Sequence, residues 1–189
     1  FTQKFIHNDS PDSIMYLSCQ GPSGSELDSA ALDAWTLIMG QGESSRLHNR
    51  LVLEEGRVRS LGAWCWAPRN KGSIDFAFRK SGGIANETEW IIDRFWNEIN
   101  RDLRRDELEK AKKNLLSGLY QSRETVDSLG ERFAYCESIS GGFDFDRKYI
   151  DAIKSLNLDK LYEIREKYFQ PNSFVCGGIV PKGEKLPQS

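Results

Sequence analysis

Two histidines, His7 and His48, are the only imidazoles of the chain. They stand too far apart to form a His-x-x-Glu-His site, in which two histidines on one helix face ligate zinc and the glutamate activates its bound water. There is no Glu-His dipeptide either, so a zinc peptidase site of that type is excluded within this chain. His48 and Glu55 fall two helical turns apart and make at most an accidental metal pair; an exposed or capping histidine is the plain reading. The four cysteines, Cys19, Cys65, Cys136 and Cys176, include no Cys-x-x-Cys, which argues against a zinc ribbon or a redox dithiol. Three lie in strand-like apolar segments and read as small buried core residues, with an inter-strand disulfide as the alternative that Cα distances decide. No Gly-x-Ser-x-Gly elbow supports a hydrolase, although Ser/His/Asp and Cys/His groups converge from distant positions. Gly21-Pro-Ser-Gly24 lacks the lysine of a phosphate loop and reads as a turn.

Arginines and the elements that aim them are what remain, and Gly40 to Ala67 organises these. Gly40 and Gly42 permit a tight break, after which Ser44 or Ser45 is placed to cap a new helix. Leu47 and Leu51 share one face of that helix, and Gly56 stops it in the left-handed region. From Val58 the period becomes two, with Leu61, Ala63 and Cys65 on one face and Val58, Trp64 and Trp66 on the other. A short helix therefore runs straight into a strand. Trp64, Trp66, Trp90 and Trp96 all lie in periodic segments, so core packing is expected of them.

The flanking chain supplies the rest of the layout. Strands are expected over 1–7, with Phe1 and Phe5 on one side, and over 13–20. Ser25 and Asp28 form a capping-box start, and a helix with one buried face follows to about Met39. Ser73 to Lys80 alternates as a strand with one wet face, and Asn86 with Glu89 opens a helix to about Leu103. Asp106 is placed to cap the longest helix; unbroken to Ser138 it would span roughly 50 Å, with the polar stretch 121–125 as the point where it bends. Further helices lead to a last strand over 173–180. This order predicts an α+β fold of two layers, a largely antiparallel sheet with helices packed on one face. One domain is expected over 1–180, with 181–189 as a tail or linker.

The order Gly-x-Gly-x-Ser-Ser-Arg-Leu, helix, Glu-x-Gly, strand resembles the second, catalytically silent domain of pitrilysin/insulinase-type zinc peptidases. Mitochondrial processing peptidase subunits and respiratory-complex core proteins are related to these. Ser45, Arg46, Leu47, Leu51 and Gly56 fall on the family pattern without a gap. Glu107-Leu-Glu-Lys-Ala-Lys-Lys-Asn114 resembles a second family helix, and later pieces extend the likeness over about nine-tenths of the chain. Two positions depart from the pattern. The family arginine falls on Val52 and the family tyrosine on Arg59; a register that uses Arg50 and Arg57 instead breaks the match at Ser45-Arg46-Leu47 and Gly56.

The resemblance implies a partner role. In that family two homologous halves enclose an unfolded peptide; the zinc half cuts, and the silent half lends an arginine and a tyrosine near the scissile carbonyl. Val52 has nothing to donate, while Arg59 offers a cationic fork. No metal or cofactor is expected in this chain, zinc is expected in the partner catalytic domain or subunit, and a peptide is the expected substrate. A scaffold subunit without proteolysis is the alternative.

Bulk properties are consistent with this. The chain has 189 residues, 39% of them hydrophobic, and a formal net charge of −2, enough for one domain with a core and no global pull toward nucleic acid. The cationic run Arg101 to Lys113 is interleaved with Glu98, Asp102, Asp106, Glu107 and Glu109, as on a solvated helix laced with ion pairs. No apolar run approaches the roughly 20 residues that span a bilayer. The start on Phe1 without methionine points to a piece of something longer, so this end does not report the compartment.

Overall fold

Alternation of apolar and polar side chains builds the five strands of a single sheet in the computed structural model, which describes residues 2–186. The strands are β1 (Thr2–Asn8), β2 (Asp12–Gln20), β3 (Ser60–Trp66), β4 (Ser73–Ser81) and β5 (Phe174–Pro181), in the order β1-β5-β2-β4-β3. All pairs are antiparallel except β1 with β5. The expected α+β layout, a largely antiparallel sheet with helices on one face, is the fold. Phe1 and residues 187–189 of the expected tail lie outside the described residues. Residues 182–184 turn back along β1: Lys182 N donates to Asn8 O, and His7 Nε2 donates to Glu184 O at 2.9 Å.

One face of the sheet makes the core. Phe5, Met15, Leu17, Cys19, Phe76, Phe78, Phe174, Cys176 and Val180 are buried. They pack under α1 (Asp28–Gly40), α2 (Thr88–Asn100), α3 (Arg105–Gln121), α5 (Asp144–Ser155) and α6 (Leu158–Tyr168). Phe76 meets Phe95 edge to face at 4.8 Å, and each such side chain contributes about 1.5–3 kcal/mol on burial. Helix α1 is buried nearly all round rather than on one face, because β3 lies on one side of it and α3, α5 and α6 on others. Its alanines Ala30, Ala31 and Ala34 permit these close approaches. Trp35, fully buried, satisfies its indole by donating to Leu161 O at 2.8 Å.

The longest helix is two. After α3 the chain breaks, and α4 (Val126–Ser138) starts with Thr125 as cap, its Oγ1 accepting from Ser128 N. Arg123 in the break and Arg132 on α4 converge on Asp146 of α5 at 2.7 and 2.6 Å, and this shared carboxylate sets the fold-back. Several expected caps are displaced. Helix α3 is opened by Arg104 and Glu107, not Asp106; α2 follows a single turn of 3₁₀ helix, and α1 starts from Leu27 without a side-chain cap.

Candidate functional site

Ser45 does not cap the helix that follows it. Its hydroxyl donates to Gly42 O at 2.8 Å, which closes the tight turn, and the chain enters a π-helix over His48–Glu54. Such wide turns are rare and concentrate at functional segments. Leu47 and Leu51 are fully buried beneath it. Gly56 ends it at φ +62°, a conformation that costs an L side chain but not glycine. Among the described residues, no non-glycine has positive φ.

Arg46 is 8% exposed and is the hub of the segment. Its fork donates twice to the Glu107 carboxylate, at 2.8 and 2.7 Å. The remaining N–H groups reach Glu98 O, Arg101 O and Asp102 O, the last at 2.6 Å. Glu98 O lies in the last turn of α2, where carbonyls lack helical partners, and Arg101 O and Asp102 O lie in the segment just after it. Glu107 also accepts from Arg104 N at 2.9 Å, the reciprocal bond of a capping box. One guanidinium thus closes the end of α2, and through Glu107 it fixes the start of α3. Burial alone would raise the Glu107 carboxyl; hydrogen bonds from Arg46 and the Arg104 backbone outweigh it and hold the group below its ordinary value.

Strand β3 begins with an irregularity that re-aims its side chains. Arg59 N donates to Arg79 O at 2.8 Å, while Ser60 is the ladder partner of the same Arg79. Two residues facing one is a β-bulge, and it shifts the alternation by a position. Val58, expected on the face of Trp64 and Trp66, is instead 2% exposed in the core. The two tryptophans, expected in the core, are on the opposite, helix-free face, Trp64 38% and Trp66 61% exposed. Tyr16 meets Trp64 edge to face at 6.1 Å, and the exposed side chains of Ile6 and Val175 share their face. An uncovered apolar sheet face of this kind is unusual for a solvated surface.

Residues 2–115 match the family model described as the peptidase M16 inactive domain. The chain belongs to that family. The M16 inactive domain is similar in fold to a protease from Helicobacter pylori, with TM-score 0.84 and 18% identity over 95% of this chain and 44% of that one. It is similar also to a peptidase M16 inactive domain from Pseudomonas fluorescens, with TM-score 0.81 and 15% identity over 100% and 45%. A chain of complex III2 from Candida albicans matches with TM-score 0.79 and 14% identity over 94% and 45%. The domain thus spans less than half the length of these chains. No curated protein sequence matches it.

Among the described residues of this M16 inactive domain, no group of three or more His, Cys, Asp or Glu side chains is disposed to hold a metal ion. His7 is bound to the Glu184 carbonyl on β1, and His48 stands on the π-helix without a hydrogen bond at its buried Nδ1. Separate elements hold the two rings, so the residues do not fit zinc. The cysteines are free; burial pushes Cys19 and Cys176 up to about 12, far from a reactive thiolate. Val52 packs against the core. Arg59 projects onto the open face, where it pairs with Asp12 at 3.4 Å and remains largely exposed. Arg50 pairs with Glu54 and Glu55, and Arg57 stacks on Trp90 at 4.7 Å, so both have structural engagements. The cationic run carries the ion pairs Arg101–Glu98, Arg104–Asp106 and Lys112–Glu109. No helix of the described residues is long and apolar enough to cross a membrane.

Proposed function

We propose that this chain is the silent half of an M16 zinc peptidase, one wall of a peptide-binding chamber whose zinc stands in a separate catalytic half. The observation that carries the reading is the helix-free sheet face: Tyr16, Trp64, Trp66, Ile6 and Val175 expose large apolar surface there while the other face is fully packed. Membership of an inactive peptidase family supports it, as does a match to less than half of the protease chain from Helicobacter pylori. The chain's own residues bind and orient; none activates water.

Arg59, at the position where the family pattern has a tyrosine, is the donor proposed for this wall; its exposure beside Asp12 supports this. Its guanidinium holds a peptide carbonyl or carboxylate by charge-assisted hydrogen bonds. Arg59→Ala in the full-length protein is expected to lower kcat/KM for peptide hydrolysis about tenfold, with folding unchanged because the side chain is exposed. An unchanged kcat/KM removes Arg59 from the site, and an absence of peptide hydrolysis by the full-length protein removes the reading. In that case a scaffold subunit is the second reading; it is favoured by Val52, which has no donor where the family has an arginine, and by the fold similarity to a complex III2 chain.

A further inference from the structure

Helix α4 is weakly packed for its length. Cys136 is its one buried residue, while Val126, Phe133 and Tyr135 are exposed. A turn over 122–125 precedes it, and Gly141 and Gly142 follow it at φ +86° and +139°, where glycine alone moves freely. Its C-terminal end is pinned. Ile139 lies against Gly24, where a Cβ has no room, and the Tyr135 hydroxyl donates to Ala67 O at 3.1 Å. The rest of the helix is held to its neighbours by few contacts: Arg132 bonds Asp146 of α5 at 2.6 Å, and Phe133 meets Phe143 edge to face at 5.8 Å. Arg132 also stands over the Tyr149 ring at 5.9 Å, and the Tyr149 hydroxyl donates to Asp33 of α1. This guanidinium therefore covers an acid that sits where α1, α4 and α5 meet.

We propose that α4 is a pH-gated strap, seated on α5 while Asp33 is protonated and lifting about its pinned end when Asp33 ionises. Among the described residues, the groups that face Asp33 are Tyr149 of α5, Arg132 and Tyr135 of α4, and Cys65 of β3. Helix α3 meets this part of α1 with Leu115, Leu116 and Leu119, and α6 sends Lys160 and Lys167 to Asp28 instead. Arg132 is thus the cation that faces the acid, and it is shared with Asp146. With α4 seated, burial outweighs the Tyr149 hydrogen bond and the Arg132 charge and pushes the Asp33 carboxyl up to about 6. With α4 lifted, water reaches the carboxyl, which returns toward its ordinary 3.8. The seated form holds the proton more tightly. Rising pH therefore favours lifting from about 4 until the seated group also ionises near 6, and falling pH reseats the strap. Few buried apolar side chains oppose the motion. The inference does not depend on the peptide-chamber reading.

Hydrogen exchange of the full-length protein, read over residues 126–133 and corrected for the intrinsic rate at each pH, is the test. Between about pH 4.5 and 7 the opening constant of these amides should rise roughly 20-fold. At every pH they should exchange faster than the amides of β4, which report global unfolding. Asp33→Asn keeps an acceptor for the Tyr149 hydroxyl but cannot ionise, so the rise should vanish. Tyr149→Phe removes a donor that favours the anion, so the rise should move to higher pH; this variant decides the matter if Asp33→Asn does not fold. A flat profile in the parent, or exchange over 126–133 that matches β4 in both rate and pH dependence, overturns the strap. A rise that survives Asp33→Asn, or that stays in place in Tyr149→Phe, overturns the gate at Asp33 and the proposal with it.

Discussion

Replacing Arg46 by alanine is expected to lower the free energy of unfolding by about 3–5 kcal/mol. The side chains of Arg46 and Glu107 are 6% and 13% exposed, so removal of the cation strands a buried carboxylate. It also leaves Glu98 O, Arg101 O and Asp102 O without their donor, each a loss of about 1 kcal/mol or more. Arg46→Lys should recover only part of this, because an ammonium cannot serve a bidentate carboxylate and three carbonyls in one plane. The double variant Arg46→Met, Glu107→Met should be less destabilised than Arg46→Ala, since no charge remains buried. Urea denaturation of the set provides the comparison. A loss below about 1 kcal/mol for Arg46→Ala would mean the hub is ornamental.

A second large effect is expected from Asp33, and it depends on pH. Burial pushes its carboxyl up from 3.8 to about 6, against the opposing pull of the Tyr149 hydroxyl that donates to it and the charge of Arg132. The folded state therefore holds this proton more tightly than the unfolded chain. As pH rises through about 4 the unfolded chain releases the proton first, and stability falls until the folded group also ionises near 6. The gap between the two values corresponds to about 3 kcal/mol, fully lost above pH 6. Asp33→Asn should abolish that slope and make the protein more stable than the parent at neutral pH. Asp146 works in the opposite sense and elsewhere. Burial raises it, but Arg132 and Arg123 outweigh burial and hold it below 3.8, so its contribution disappears only as pH falls below that value. Denaturation curves of parent and Asp33→Asn between pH 4 and 7 separate the two; parallel slopes would contradict the assignment to Asp33.

Where periodicity and punctuation coincide, the chain announces its elements. Leu47, Leu51 and Gly56 bracket the short helix as their spacing requires, and the alternation of Ile74, Phe76 and Phe78 fixes the inner face of β4. Other features rest on contacts between distant residues and leave no local mark. The parallel pairing of β1 with β5 joins strands from opposite ends of the chain. The break after Gln121 is suggested by polar residues but depends on Asp146, which lies more than a helix away. Arg46 reads as a motif residue, and only the tertiary fold delivers the end of α2 and Glu107 to its guanidinium. The faces of β3 differ from those the alternation predicts for a definite reason. One extra residue at Arg59–Ser60 reverses alternation, so Val58 goes inward and the tryptophans outward, and sequence periodicity contains no record of which residue the partner strand skips. An aromatic pair next to a short glycine-terminated helix would have been the available hint.

On the proposed reading this domain lends surface and orientation to peptide chemistry and contributes no ligand to the metal. The most direct measurement is the zinc content of the full-length protein, parent against the double variant His7→Gln, His48→Gln. Equal stoichiometry in both is the predicted result, with the metal held wholly outside residues 1–189. Loss of zinc in the double variant, or stoichiometric metal bound by this domain alone, would contradict it.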